Sequence, residues 1–84
     1  MLCEFCGNET EWKVFLAVKK EMSRSRRSYV VTKPSGRVVY VSRQHTTFRN
    51  LGSSLAVRIP FYFEEKGTAV CETCWLGDKV PEIR

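Results

Sequence analysis

Two cysteine pairs of identical spacing stand at opposite ends of this chain: Cys3-Glu4-Phe5-Cys6-Gly7 and Cys71-Glu72-Thr73-Cys74. The 84-residue sequence contains no other cysteine. A two-residue spacer lets both sulfurs of a pair point at one ion, so two such pairs supply the four thiolates of a tetrahedral site. With Cys3, Cys6, Cys71 and Cys74 as ligands, one structural Zn2+ ties the two ends together and closes nearly the whole chain into a single loop. Any fold open to this chain must therefore bring its termini to the same side.

Length makes that staple valuable. A chain of this size buries only about 60–65% of its unfolded surface. Its core alone gives marginal stability, which small domains often supplement with metals or disulfides. Residues 1–84 read as one zinc-stapled domain. Disulfides are the ordinary alternative for four cysteines, but Met1-Leu2 is too short to form an apolar leader ahead of Cys3. No run approaches the ~18 apolar residues of a membrane span. The expected location is the cytoplasm, without membrane association, where paired C-x-x-C motifs bind metal. Redox-active dithiols normally need one pair in a βαβ pattern, which the sequence does not offer.

Hydrophobic periodicity predicts a small α+β or mainly β fold, with an antiparallel sheet of about four strands and a zinc knuckle joining its ends. In Leu55 to Phe63 the odd positions are Leu, Val, Ile, Phe and Phe, which is strict strand alternation. Pro60 lacks an N–H, so this strand is expected at a sheet edge or with a bulge. Ser28–Lys33 and Arg37–Ser42 flank Pro34-Ser35-Gly36 and predict a hairpin, because proline presets the first turn position and glycine accepts positive φ. Pairing Lys33 with Arg37 puts Tyr29, Val31, Val39 and Val41 on one face, and Val30, Thr32, Val38 and Tyr40 on the other. Both faces are partly apolar, so the hairpin is expected to pack on both sides. Residues 12–20 alternate as a strand, although Asn8-x-x-Glu11 could also cap a helix. The segment from Gln44 to Ser54 reads as irregular. Thr68–Val70 reads as a short strand delivering Cys71, and a turn or two of helix after Cys74 would stop at Gly77 and Pro81.

The Cys6-Gly7 step fits a zinc knuckle, in which backbone N–H groups point at the thiolates and glycine closes the turn. On the two cysteine pairs and Gly7 the chain resembles zinc-ribbon and treble-clef domains with four cysteine ligands. That resemblance implies a structural zinc site within a β-rich unit. It departs from the usual pattern in the 64 residues between Cys6 and Cys71 and in Trp75, which stands where a second knuckle glycine would be. In treble clefs the second pair opens a C-terminal helix, which suits Trp75-Leu76 packing inward; the sequence leaves ribbon and treble clef both open. Four thiolates also suit iron. Rubredoxins resemble the C-x-x-C-G turn, but they are acidic and compact between their pairs. A site with four protein ligands leaves no position for water or substrate, so the metal is structural, not catalytic. The one histidine, His45, lies in a polar stretch without a partner base or nucleophile, and the chain is not expected to be an enzyme.

Charge carries the functional expectation. The net charge of +5 is unevenly spread: Lys13 to Arg58 holds eleven bases and one acid, Glu21, while both flanks are net acidic. Four thiolates on one divalent ion make the metal end still more negative. A basic middle attracts polyanions. Lys19, Lys20, Arg24, Arg26, Arg27, Lys33, Arg37, Arg43, Arg49 and Arg58 are the expected phosphate contacts, with Tyr29 and Tyr40 as stacking platforms for bases. The expected partner is DNA or RNA. The alternative is a protein-binding adaptor or inhibitor whose basic surface docks on an acidic face of a transcription or nucleic-acid-processing machine. Neither the oligomeric state nor any sequence preference follows from these residues.

Overall fold

The computed structural model describes residues 1–63 and 66–77. Seven strands and one short helix follow in order: β1 Trp12–Ala17, β2 Lys19–Met22, β3 Ser28–Thr32, β4 Val38–Ser42, β5 Thr47–Leu51, β6 Ser54–Pro60, β7 Thr68–Ala69 and α1 Glu72–Leu76. All pairing is antiparallel, in a four-stranded sheet ordered β5-β6-β1-β7 and a three-stranded sheet ordered β2-β3-β4. The expected four-stranded sheet is present, and a second sheet accompanies it.

Alternation along β1 sets out three layers. Phe15 and Ala17 point into a core shared with Val31, Val39 and Val41 of the three-stranded sheet and Val57 and Ile59 of β6. Val14 points the other way, into a second core with Ala56, Val70, Trp75 and three of the cysteines. The four-stranded sheet is thus the middle layer. One face packs on the second sheet and the other on the joined ends of the chain. β1 and β2 are separated only by Val18, whose N–H donates to the Thr32 carbonyl at 2.8 Å and so already belongs to the second sheet. One alternating run therefore supplies strands to both sheets.

The hairpin has the expected register, Thr32↔Val38 through Ser28↔Ser42, closed by Lys33 N–H to Arg37 C=O at 2.8 Å and a positive φ at Gly36. Its inner face carries the buried Val31, Val39 and Val41. Its outer face is open, not packed: Val38 is 48% and Tyr40 66% exposed. The expected irregular segment contains β5, which Gly52 at φ +70 turns tightly into β6.

β6 lies in the middle of its sheet, contrary to the edge position that Pro60 suggests. The Phe61 N–H donates to the Glu11 carbonyl at 3.1 Å, which fixes the alternation of the β1–β6 ladder. Pro60 therefore turns its nitrogen away from β1, to a side where pairing with β5 has ended at Thr47↔Arg58. No donor is needed there. Phe61–Phe63 then leave the strand as a single 3-10 turn.

Candidate metal centre and basic surface

The first ten residues fold back on themselves. Leu2 bridges Glu9, Cys3 N–H donates to Asn8 C=O at 2.7 Å, and Gly7 N–H donates to Cys3 C=O at 3.0 Å with φ +78 at the glycine. This knuckle presents Cys3 and Cys6. Glu4 N–H reaches the Ala69 carbonyl at 3.0 Å, and Thr10 Oγ1 donates to the Val70 carbonyl at 3.2 Å, so the knuckle docks where β7 delivers Cys71. α1 begins one residue later and carries Cys74 and Trp75 on its buried face.

The four sulfurs come together within 4.8 Å of one another, with Cys6 Sγ and Cys71 Sγ 3.3 Å apart. Tetrahedral thiolates on zinc at 2.3 Å stand about 3.8 Å apart, so the donor set fits one ion. Cys3, Cys71 and Cys74 are buried and Cys6 sits at the rim. Their electrostatics are uneven. Burial pushes the Cys3 thiol up, but backbone hydrogen bonds at Cys71, Phe5 and Cys6 outweigh it and bring the group down to about 6. At Cys6 the Asn8 backbone favours the thiolate, yet the hydrogen bond with Cys71, together with burial, holds the thiol above its ordinary value. Burial, followed by hydrogen bonds with Cys71, Cys3 and Cys6, raises Cys74 to about 12. One thiolate forms readily, and further negative charge needs a cation.

The structure separates the expected polyanion contacts into three groups. Arg24, Arg26, Arg27, Arg37 and Arg43 are exposed around the three-stranded sheet, joined on its outer face by Lys19, which pairs with Glu21 at 3.5 Å. Among the described residues none of Arg24, Arg26, Arg27 or Arg43 pairs with a carboxylate. Lys20 and Lys33 instead cover the ends of the inter-sheet core. Lys20 Nζ lies 4.0 Å from the Phe48 ring centroid, and Lys33 Nζ lies 4.7 Å from that of Phe15. Arg49 and Arg58 sit on the metal-facing side of the middle sheet. Arg49 donates to the Trp75 and Gly77 carbonyls, while Arg58 stacks 4.0 Å over Trp12 with its charge destabilised by burial and partly restored by Glu72. Tyr29 points inward, edge-on to Phe48 at 5.0 Å, whereas Tyr40 stands out from the sheet.

Tyr62 is 75% exposed at the 3-10 turn, its ring 4.4 Å from Phe63, on the side away from the odd, apolar positions of the 55–63 alternation. His45 stacks on Phe63 at 6.4 Å, which gives the lone histidine a packing role. The acids Glu4, Glu9, Glu11 and Glu72 are exposed towards the cysteine end.

No protein-family profile matches the chain, and no curated protein or solved structure matches it. The fold and site define a mainly β chain whose two ends bring four cysteine sulfurs to metal-binding distance. Among the described residues no helix is long and apolar enough to cross a membrane.

Proposed function

We propose that this protein is a zinc-stapled binding module, not an enzyme, that takes nucleic acid on the basic surface of its three-stranded sheet. The observation that carries the reading is a cleft of about 560 Å3 lined by Arg26, Arg27, Ser42, Arg43 and Gln44, with no carboxylate in its wall among the described residues. Three arginines, a serine and a glutamine line it, with Arg43 also donating to the Arg26 carbonyl at 3.4 Å, and such a residue set suits phosphate oxygens. Zinc is favoured over iron because this chain is basic and long between its cysteine pairs, unlike rubredoxins, and four protein ligands leave no open coordination position for a catalytic part. The helix that opens between Cys71 and Cys74 favours the treble-clef pattern over the ribbon.

The test is fluorescence anisotropy of the zinc-loaded protein against single-stranded DNA, duplex DNA and RNA at roughly 50 and 200 mM salt. Binding that weakens by about a decade or more is expected, since each neutralised phosphate steepens the salt dependence. Replacing Arg26, Arg27 and Arg43 by glutamine should flatten that slope. Absence of binding at low salt would overturn the reading.

A second reading, docking on an acidic protein, is favoured by the outer edge of β4, which pairs with no further strand among the described residues. Arg43 N–H donates to Arg27 C=O at 3.1 Å, and Lys33 N–H pairs with Arg37 C=O. By alternation, the N–H and C=O groups of Val38 and Tyr40 then face outward, where an incoming strand could pair.

A further inference from the structure

Three clefts adjoin around β4 and the 3-10 turn, and they share walls. The first, about 610 Å3, lies between the Ser23–Ser25 turn and the sheet, lined by Arg24, Ser25, Ser28, Val30 and Tyr40. The second, about 550 Å3, is lined by Arg37, Val38, Tyr40, Phe61, Tyr62 and Phe63. The third, about 630 Å3, is lined by Glu11, Trp12, His45, Pro60, Phe61 and Tyr62. Tyr40 divides the first cleft from the second. Tyr62, with Phe61, divides the second from the third.

We infer that the nucleic acid is single-stranded and follows this track. Its phosphates meet Arg24 and Arg37, its bases stack on Tyr40 and Tyr62, and a base enters the Trp12–His45 pocket. The inference rests on the nucleic-acid reading above and adds the strandedness, the path and the residues that select it.

Arg24 lines the first cleft beside Tyr40, and Arg37 lines the second beside Tyr40 and Tyr62, so each cleft sets an arginine and a tyrosine in one wall. Both tyrosines are mostly exposed, and Tyr62 is braced from behind by Phe63. A duplex keeps its bases stacked inside, so it cannot use these rings; an unpaired strand can. Among the described residues the wall of the third cleft holds Glu11, no lysine or arginine, and Met1, whose terminal ammonium is paired with Glu9; its aromatic rings suit a neutral base more than a phosphate. Along the second cleft, the outward N–H and C=O groups of Val38 and Tyr40 offer a donor and an acceptor to base edges. A second copy of the chain fits this edge poorly. Antiparallel pairing of two β4 strands about Tyr40 would set Arg37 of each copy against Arg43 of the other, and like charges directly opposite are destabilising.

The test compares a labelled single strand of roughly a dozen nucleotides with a duplex of the same length, both in the range of known single-strand site sizes. Single-strand binding is expected to be at least about tenfold tighter, with Tyr40→Ala and Tyr62→Ala each weakening it about 5- to 150-fold and leaving duplex binding unchanged. Tyr40→Phe and Tyr62→Phe should restore it, because stacking needs the ring and not the hydroxyl. Arg24→Gln and Arg37→Gln should each lower the salt slope by about 1, which the tyrosine variants should not do. Duplex bound as tightly as single strand, or normal single-strand binding by both alanine variants, would overturn the track and leave the nucleic-acid reading standing. Failure to bind any nucleic acid at low salt would overturn both.

Discussion

The Arg49 guanidinium crosses from β5 to the far end of α1 and donates to the Trp75 carbonyl at 2.6 Å. The same nitrogen donates to Gly77 C=O at 2.7 Å, so one cation caps the last turn of the helix that carries Cys74. Carbonyls at a helix C-terminus lack intrahelical partners and favour a positive charge. Arg49→Met should therefore lower the stability of the metal-loaded protein by about 1.5–3 kcal/mol, the range for hydrogen bonds to a charged group. Urea unfolding measures it. Nucleic-acid affinity of the folded variant should stay unchanged; a loss of affinity at unchanged stability would return Arg49 to the binding surface.

Metal removal should act first on one of the two cores. Cys3, Cys71 and Cys74 belong to the cluster that buries Val14, Val70 and Trp75, while the inter-sheet cluster contains no cysteine. Without a cation, the four cysteines and the layer they hold lose the interaction that joins the chain ends, and binding free energy of this kind is largely folding free energy. Chelation, or Cys71→Ser, should expose Trp75, shift tryptophan emission to the red and abolish the cooperative thermal transition. Native-like emission and an unchanged transition after complete metal removal would show that the sheets hold the termini unaided.

Sequence legibility followed the range of the interactions. The hairpin was readable because Pro34, Ser35 and Gly36 set its register locally, whereas β1 stayed open between strand and helix because its alternation competes with a helix cap at Asn8-x-x-Glu11. The cysteine cluster was readable because two pairs of identical spacing favour one shared site. The move from one sheet to the other at Val18 left no mark, since alternation continues through it from Trp12 to Lys20. Pro60 suggested an edge because its missing donor is local information. Whether a neighbour needs that donor depends on where β5 stops. The basic residues showed total charge but not facing, and only tertiary packing separates Arg49 and Arg58 from Arg24, Arg26 and Arg27. The register read from the sequence already put Tyr29 and Tyr40 on opposite faces; only packing shows that the Tyr29 face is covered and the Tyr40 face exposed.

Proton release should accompany metal uptake. In the metal-free cluster Cys3 is lowered to about 6, so it is mostly thiolate at neutral pH, while Cys74 at about 12 is protonated and Cys6 is also raised. Metal ligation needs thiolates, so protons and metal compete, affinity rises with pH through the neutral range and metal is lost on acidification. Calorimetric titration with Zn2+ in buffers of different ionisation enthalpy should report about two to three protons released per ion near pH 7. Release near zero would mean that the thiols are already ionised before the metal arrives.

Gly7 provides a separate test of the knuckle. Its φ is +78, in the left-handed region, and a Cβ built there meets nothing within 4 Å. The cost of a side chain is therefore conformational and not steric, about 1–2 kcal/mol for an ordinary residue and less for asparagine, which tolerates this region. Gly7→Ala should weaken metal retention against a chelator by about 5- to 30-fold, the same energy expressed as an equilibrium ratio. Gly7→Asn should fall between alanine and the native chain, and Gly7→Val, with a β-branched side chain, should be the worst of the three. An order set by side-chain volume alone would place asparagine beside valine, and that result would point to a crowded knuckle instead of a strained one.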